Sequence, residues 1–186
     1  MDNDALIAFI EKCNEELITD KPVLYEAYFL KIYVAFENYL GEIFEKYCLG
    51  NPSSEGFVPD RRLSFETLEQ VRNVINSGKM QNYIDYIDKI KCLSKDIFRE
   101  NPFDIILEDA ENVTIFNQMT AIRNCIAHES DYSKKKYQEA CLNGQEYKSP
   151  GVFLMSKNKR SSKSYYSIFI DKIKTISVGL ISNTIE

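Results

Sequence analysis

Histidine occurs once in these 186 residues and tryptophan not at all. Glycine (7) and proline (5) are sparse, which suits long helices and argues against a turn-rich all-β chain. The five cysteines, Cys13, Cys48, Cys92, Cys125 and Cys141, are odd in number, scattered and without a Cys-x-x-Cys pair. That pattern argues against a disulfide framework and fits reduced thiols in a cytoplasmic protein. With one histidine and no paired cysteines, a transition-metal site lacks its ligands. No apolar run approaches the roughly 18 to 20 residues that span a bilayer, and no signal peptide is visible. Gly-rich phosphate loops, Gly-x-Ser-x-Gly and His-Glu-x-x-His are missing too. The reading calls for no cofactor and no membrane.

What is present describes an ordinary globular composition, 44% apolar and 27% charged, in one domain spanning 1–186. The net charge of −5 is unevenly placed. Residues 1–120 carry 12 Lys and Arg against 22 Asp and Glu, and residues 121–186 carry 11 against 6. The first part is therefore −10 and the second +5. The basic part includes Lys134-Lys135-Lys136 and a later loop with Lys157, Lys159, Arg160 and Lys163. Such a local field guides a polyanion to an otherwise acidic protein. Solvated loop lysines are the plain alternative.

Periodicity predicts helices throughout. Residues 4–18 carry Leu6, Ile7, Ile10, Cys13 and Leu17 on one stripe, and Lys21-Pro22 breaks the run. Residues 23–48 form the longest periodic stretch, from Tyr25 and Phe29 to Phe44 and Tyr47, and Gly50-Asn51-Pro52 stops it. A polar loop over 51–63 precedes a helix capped by Ser64 and running to about Asn76, with Ser77-Gly78 as its stop. Residues 80–99 read as helix through Tyr83, Ile84, Ile87 and Ile90, with a break near Ser94 and a boundary at Asn101-Pro102. Beyond the next helix, residues 130–141 form a turn or two. The stretch 143–164 is mostly loop, with Val152–Met155 as a short strand or apolar plug, and 165–183 returns to helix. The expected fold is an all-α, up-and-down bundle of five to seven helices, with a basic loop before the last.

The stretch Asn112–Glu129 carries the chemistry. Ile115, Met119, Ile122 and Ile126 make an apolar stripe, and His128 lies about 200° round the helix from Ile126. The imidazole is therefore predicted to face away from the core. A second line, Asn117, Ala121, Asn124 and His128, is small or polar throughout, and with Thr120 and Ala127 leaves room for a second helix or a ligand. Glu37, a carboxylate within the aromatic-rich second helix, is a candidate partner for Arg123, against simple exposure to solvent.

Arg123-Asn124-Cys125-Ile126-Ala127-His128 near the end of a helix resembles the Arg-x4–6-His motif of the HEPN superfamily. Tyr28–Gly50 likewise resembles the long first helix of that superfamily's RiboL-PSP-like branch. The resemblance implies a dimerising helical bundle and a metal-independent endoribonuclease, with Arg123, Asn124 and His128 as its catalytic residues. Lys134, Lys135, Lys136 and Arg160 would bind substrate. It further implies a homodimer paired through the motif helix, RNA as substrate, a toxin or anti-phage role, and an antitoxin or other partner protein. Some toxins of the family carry a modifiable tyrosine two residues after the histidine. Here that position is Ser130, and the nearest tyrosine is Tyr132. Two other classes stay open: a non-catalytic nucleotide- or RNA-binding module, and a helical interaction protein in which Arg123 and His128 are structural.

Overall fold

The computed structural model describes residues 2–17, 20–76 and 85–182. Among them the chain is all-α. Nine α-helices are joined by loops, and the only extended pairings described are two isolated bridges, Arg61 with Phe98 and Lys157 with Ser164. The helices are α1 (Asn3–Glu16), α2 (Pro22–Cys48), α3 (Leu68–Ile75), α4 (Tyr86–Ile97), α5 (Asp104–Leu107), α6 (Ala110–His128), α7 (Asp131–Tyr137), α8 (Pro150–Met155) and α9 (Tyr165–Ser182). A π-helical turn, Gln138–Leu142, extends α7. No helix among the described residues is long and apolar enough to cross a membrane.

The count exceeds the five to seven helices expected, because the short helices α5 and α8 lie in stretches expected to be connections. At α8, Ser149 accepts from the Val152 amide and Pro150 occupies the first turn, where its missing N–H costs nothing. The Ser-Pro start outweighs the strand propensity of Val152 and Phe153. The cap of α3 is Thr67 rather than Ser64. Gln70 stands at the third helical position, so Thr67 and Gln70 close a reciprocal capping box that Ser64 cannot form. α4 runs unbroken through Ser94, whose buried hydroxyl accepts from Asn101 at 3.0 Å. The expected stop at Ser77-Gly78 and the residues Tyr83 and Ile84 lie outside the described residues.

The chain contacts divide into two compact units, and α1, α2 and α9 contribute to both. The unit made of Met1–Leu6, Phe36–Asp109 and Ile176–Glu186 is centred on Phe44, Tyr47, Phe98 and Phe103, whose rings meet mostly edge to face. Its helix ends are satisfied by side chains. Tyr47 and Ser53 donate to the carbonyls of Leu180 and Ile181 at 2.6 and 2.7 Å, in the last turn of α9, where intrahelical donors run out. Glu45 is buried on α2, and the Arg72 guanidinium grips it through Nε at 2.7 Å and Nη2 at 3.1 Å. The Tyr86 hydroxyl donates to the same carboxylate. Gly41 makes room for the Tyr86 ring, which a Cβ would meet at 2.6 Å.

The unit made of Ile7–Ala35 and Ala110–Thr175 contains the motif helix. Its core joins Phe29 and Tyr33 of α2 to Phe116 of α6 and Phe169 of α9. Phe153 of α8 stacks on Tyr165 at 4.3 Å and meets Tyr137 of α7 edge to face. Gly151 sits so close to Pro22 that an added Cβ would lie 2.2 Å from its carbonyl oxygen, and its amide donates to Glu26 at 2.7 Å.

Candidate functional site

α6 is held by a buried face of Phe116, Met119, Ala121, Ile122 and Cys125. The expected stripe is thus shifted. Met119 and Ile122 enter the core, while Ile115 and Ile126 are half-buried. The small line beside His128 is also less open than expected. Ala121 is buried, and the Thr120 hydroxyl bonds that of Tyr33 at 2.7 Å within the same unit. Helices pack on more than one side of α6, so small residues there serve close packing inside the chain. Asn117, Ala127 and His128 are the exposed positions that remain, and Asn124 is half-buried.

His128 is the last helical residue, and its side chain lies outside the core as the periodicity predicts. One turn earlier stands Asn124, on the same face. Arg123 is half-buried, and its Nη1 donates to the Asn124 Oδ1 at 3.1 Å. Neighbouring helical residues point about 100° apart, so this bond draws the guanidinium along the helix surface toward the asparagine. The three motif residues therefore share the last two turns of α6. Cys125, between them, points inward. Burial raises its thiol pKa, and its side chain bonds Tyr147.

The chain turns sharply after the motif. Glu129 has φ of +48°, the left-handed conformation common at a helix end, and Ser130 caps α7 by accepting from the Ser133 amide. Two residues thus join α6 to α7. Ser133 and Tyr137 are buried, which fixes α7; Lys134 is half-buried, and Lys135 and Lys136 point to solvent. Lys136 also reaches Glu139 at 3.2 Å. The π-turn after α7 packs back on α6 through Gln118, whose amide donates to the Ala140 carbonyl at 3.1 Å.

The other candidates stand on other elements. Arg160 is exposed on the turn between α8 and α9, with its amide on the Asn158 side chain at 2.8 Å. Lys163 from the same turn pairs with Asp171 at 2.8 Å. Glu37 is half-buried on α2. The arginine-clamped carboxylate of α2 that sequence reasoning missed is Glu45. Its signal was a charge set between Phe44 and Tyr47 in an aromatic-rich run.

No protein-family model matches the chain, and neither a curated protein nor a solved structure matches it significantly. The functional reading therefore rests on the residues and geometry of the site.

Proposed function

We propose that this protein is a HEPN-type, metal-independent endoribonuclease that works as a homodimer with a composite Arg/His site. The observation that carries the reading is the solvent-facing His128 at the end of α6, with Arg123 drawn onto Asn124 one turn before it. RNA cleavage of this kind needs a base for the 2′-hydroxyl, an acid for the departing 5′-oxygen, and cationic donors for the charge growing on phosphate. Imidazole suits both proton roles near neutral pH.

One chain supplies one imidazole, so two protomers related by a twofold axis would supply the pair. One His128 takes the proton of the 2′-hydroxyl, whose oxygen attacks the adjacent phosphorus. The partner copy of the same residue protonates the 5′-oxygen as its bond to phosphorus breaks. The products are a 2′,3′-cyclic phosphate and a 5′-hydroxyl. Arg123 stabilises the pentacoordinate phosphorane by paired hydrogen bonds. Asn124 positions the guanidinium and offers its amide N–H groups to a phosphate oxygen. Lys134, Lys135 and Lys136 supply the attracting field. A toxin or anti-phage role, acting on cellular or phage RNA, is what the family resemblance implies.

Incubation of the purified protein with RNA in EDTA, beside Arg123→Ala and His128→Ala, tests the reading. Cleavage that disappears in both variants, leaving cyclic-phosphate ends, is expected, as is toxicity on expression that His128→Ala relieves. RNA binding without cleavage would make the protein a binding module instead. Full activity in a species shown to be monomeric by analytical ultracentrifugation would remove the composite site.

A further inference from the structure

Three tyrosines of the unit containing α6 serve its core. Tyr33, Tyr137 and Tyr166 are buried, with their hydroxyls bonded to Thr120, the Lys148 carbonyl and Asn14. Tyr132 differs from all of these. It is 73% exposed, on the outer face of α7, four residues beyond His128. Four residues of chain reach at most about 14 Å, so the two Cα atoms lie within that distance of each other. The Lys136 ammonium lies 5.9 Å from its ring centroid, one helical turn on, and Lys135 is exposed beside it. The backbone beneath is fixed by the Ser130 cap and by buried Ser133 and Tyr137. A ligand that used the ring would therefore order little else.

An exposed ring flanked by cations on a rigid support is the pairing that single-stranded nucleic acid recognises: the cations take the phosphates, and the ring takes a base. We propose that Tyr132 is the stacking platform for a base next to the scissile phosphate, with Lys135 and Lys136 engaging the backbone beside it. The proposal rests on the ribonuclease reading and names its substrate as single-stranded RNA. A solvated face would need the lysines and not the ring.

The test measures affinity for a fluorescent single-stranded RNA in the His128→Ala background, where no turnover interferes, and cleavage in the parent. Tyr132→Ala is expected to weaken RNA binding about ten- to a hundredfold. Tyr132→Phe, which keeps the ring face, is expected to recover it. Inorganic polyphosphate, which has no bases, should compete equally well against the tyrosine and alanine proteins. If Tyr132→Ala binds and cleaves RNA like its parent, the stacking role is overturned and the ribonuclease reading survives. If it loses RNA and polyphosphate alike, the ring only supports Lys136, and stacking is again overturned. A parent protein that neither binds nor cleaves RNA removes both.

Discussion

The guanidinium of Arg123 rests on its immediate neighbour, donating from Nη1 to Oδ1 of Asn124 at 3.1 Å. Arginine has only donors, so the asparagine turns its oxygen to the guanidinium and keeps its amide nitrogen as a donor for another group. A flexible cation is thus tied, before any substrate arrives, to the residue one helical turn ahead of the imidazole.

Removing this support should therefore lower catalysis without unfolding the helix. Asn124→Ala is expected to reduce RNA cleavage about tenfold to a hundredfold, and Arg123→Ala about a hundred- to a thousandfold. Arg123→Lys should recover little, because an ammonium cannot reproduce the planar fork. Initial rates on a labelled oligonucleotide, with far-UV circular dichroism as the folding control, check this. Equal activity in Asn124→Ala and parent would show that the contact is incidental.

Glu45 and Arg72 make a stability prediction in the other unit. Arg72→Ala leaves a buried carboxylate with the Tyr86 hydroxyl as its remaining partner among the contacts described here. Half of the arginine side chain is exposed, so the ion pair is worth less than a fully buried one. A loss of about 2 kcal/mol is expected in urea titrations. In a Glu45→Gln background the same substitution should cost less, because no charge is stranded.

Gly151→Ala is expected to destabilise the protein by about 1–3 kcal/mol. Its Cβ would meet the backbone oxygen of Pro22, which has no rotamer to move. Thermal unfolding would fall by several degrees. An unchanged melting temperature would mean that α8 can shift away from α2 at no cost.

The thiols predict both reactivity and an alkaline limit. Cys13, Cys48, Cys125 and Cys141 are buried, and burial raises each thiol pKa, to about 12 for Cys48 and Cys141. A disulfide reagent at pH 8 should therefore modify exposed Cys92 quickly and the other four only on unfolding. Because the folded pKa values exceed the unfolded ones, the native state holds more protons in between. Stability from these thiols is full below about pH 9 and falls as pH rises toward 12. Denaturation midpoints that stay flat from pH 8 to 11 would contradict this.

Much of the architecture was legible because helices advertise themselves locally. The aromatic run from Tyr25 to Tyr47, its Gly50 stop and the outward turn of His128 all follow from a 3.6-residue period and terminal chemistry. The short helices were less visible. α8 is only six residues long, and its Ser149-Pro150 start competes with Val and Phe, which favour strands. Period alone cannot choose between them.

Sequence alone determined the helical class, the polar grouping of Arg123, Asn124 and His128 on one helix, and the concentration of positive charge after residue 120. Tertiary structure decided what each small or charged residue is used for. Thr120 and Ala121, open by local pattern, were taken up by packing and by Tyr33, while Glu45 found Arg72 and Tyr86 from helices far along the chain. The reason is that a helical period assigns a direction to every side chain, but only the neighbouring elements settle whether water or protein waits there.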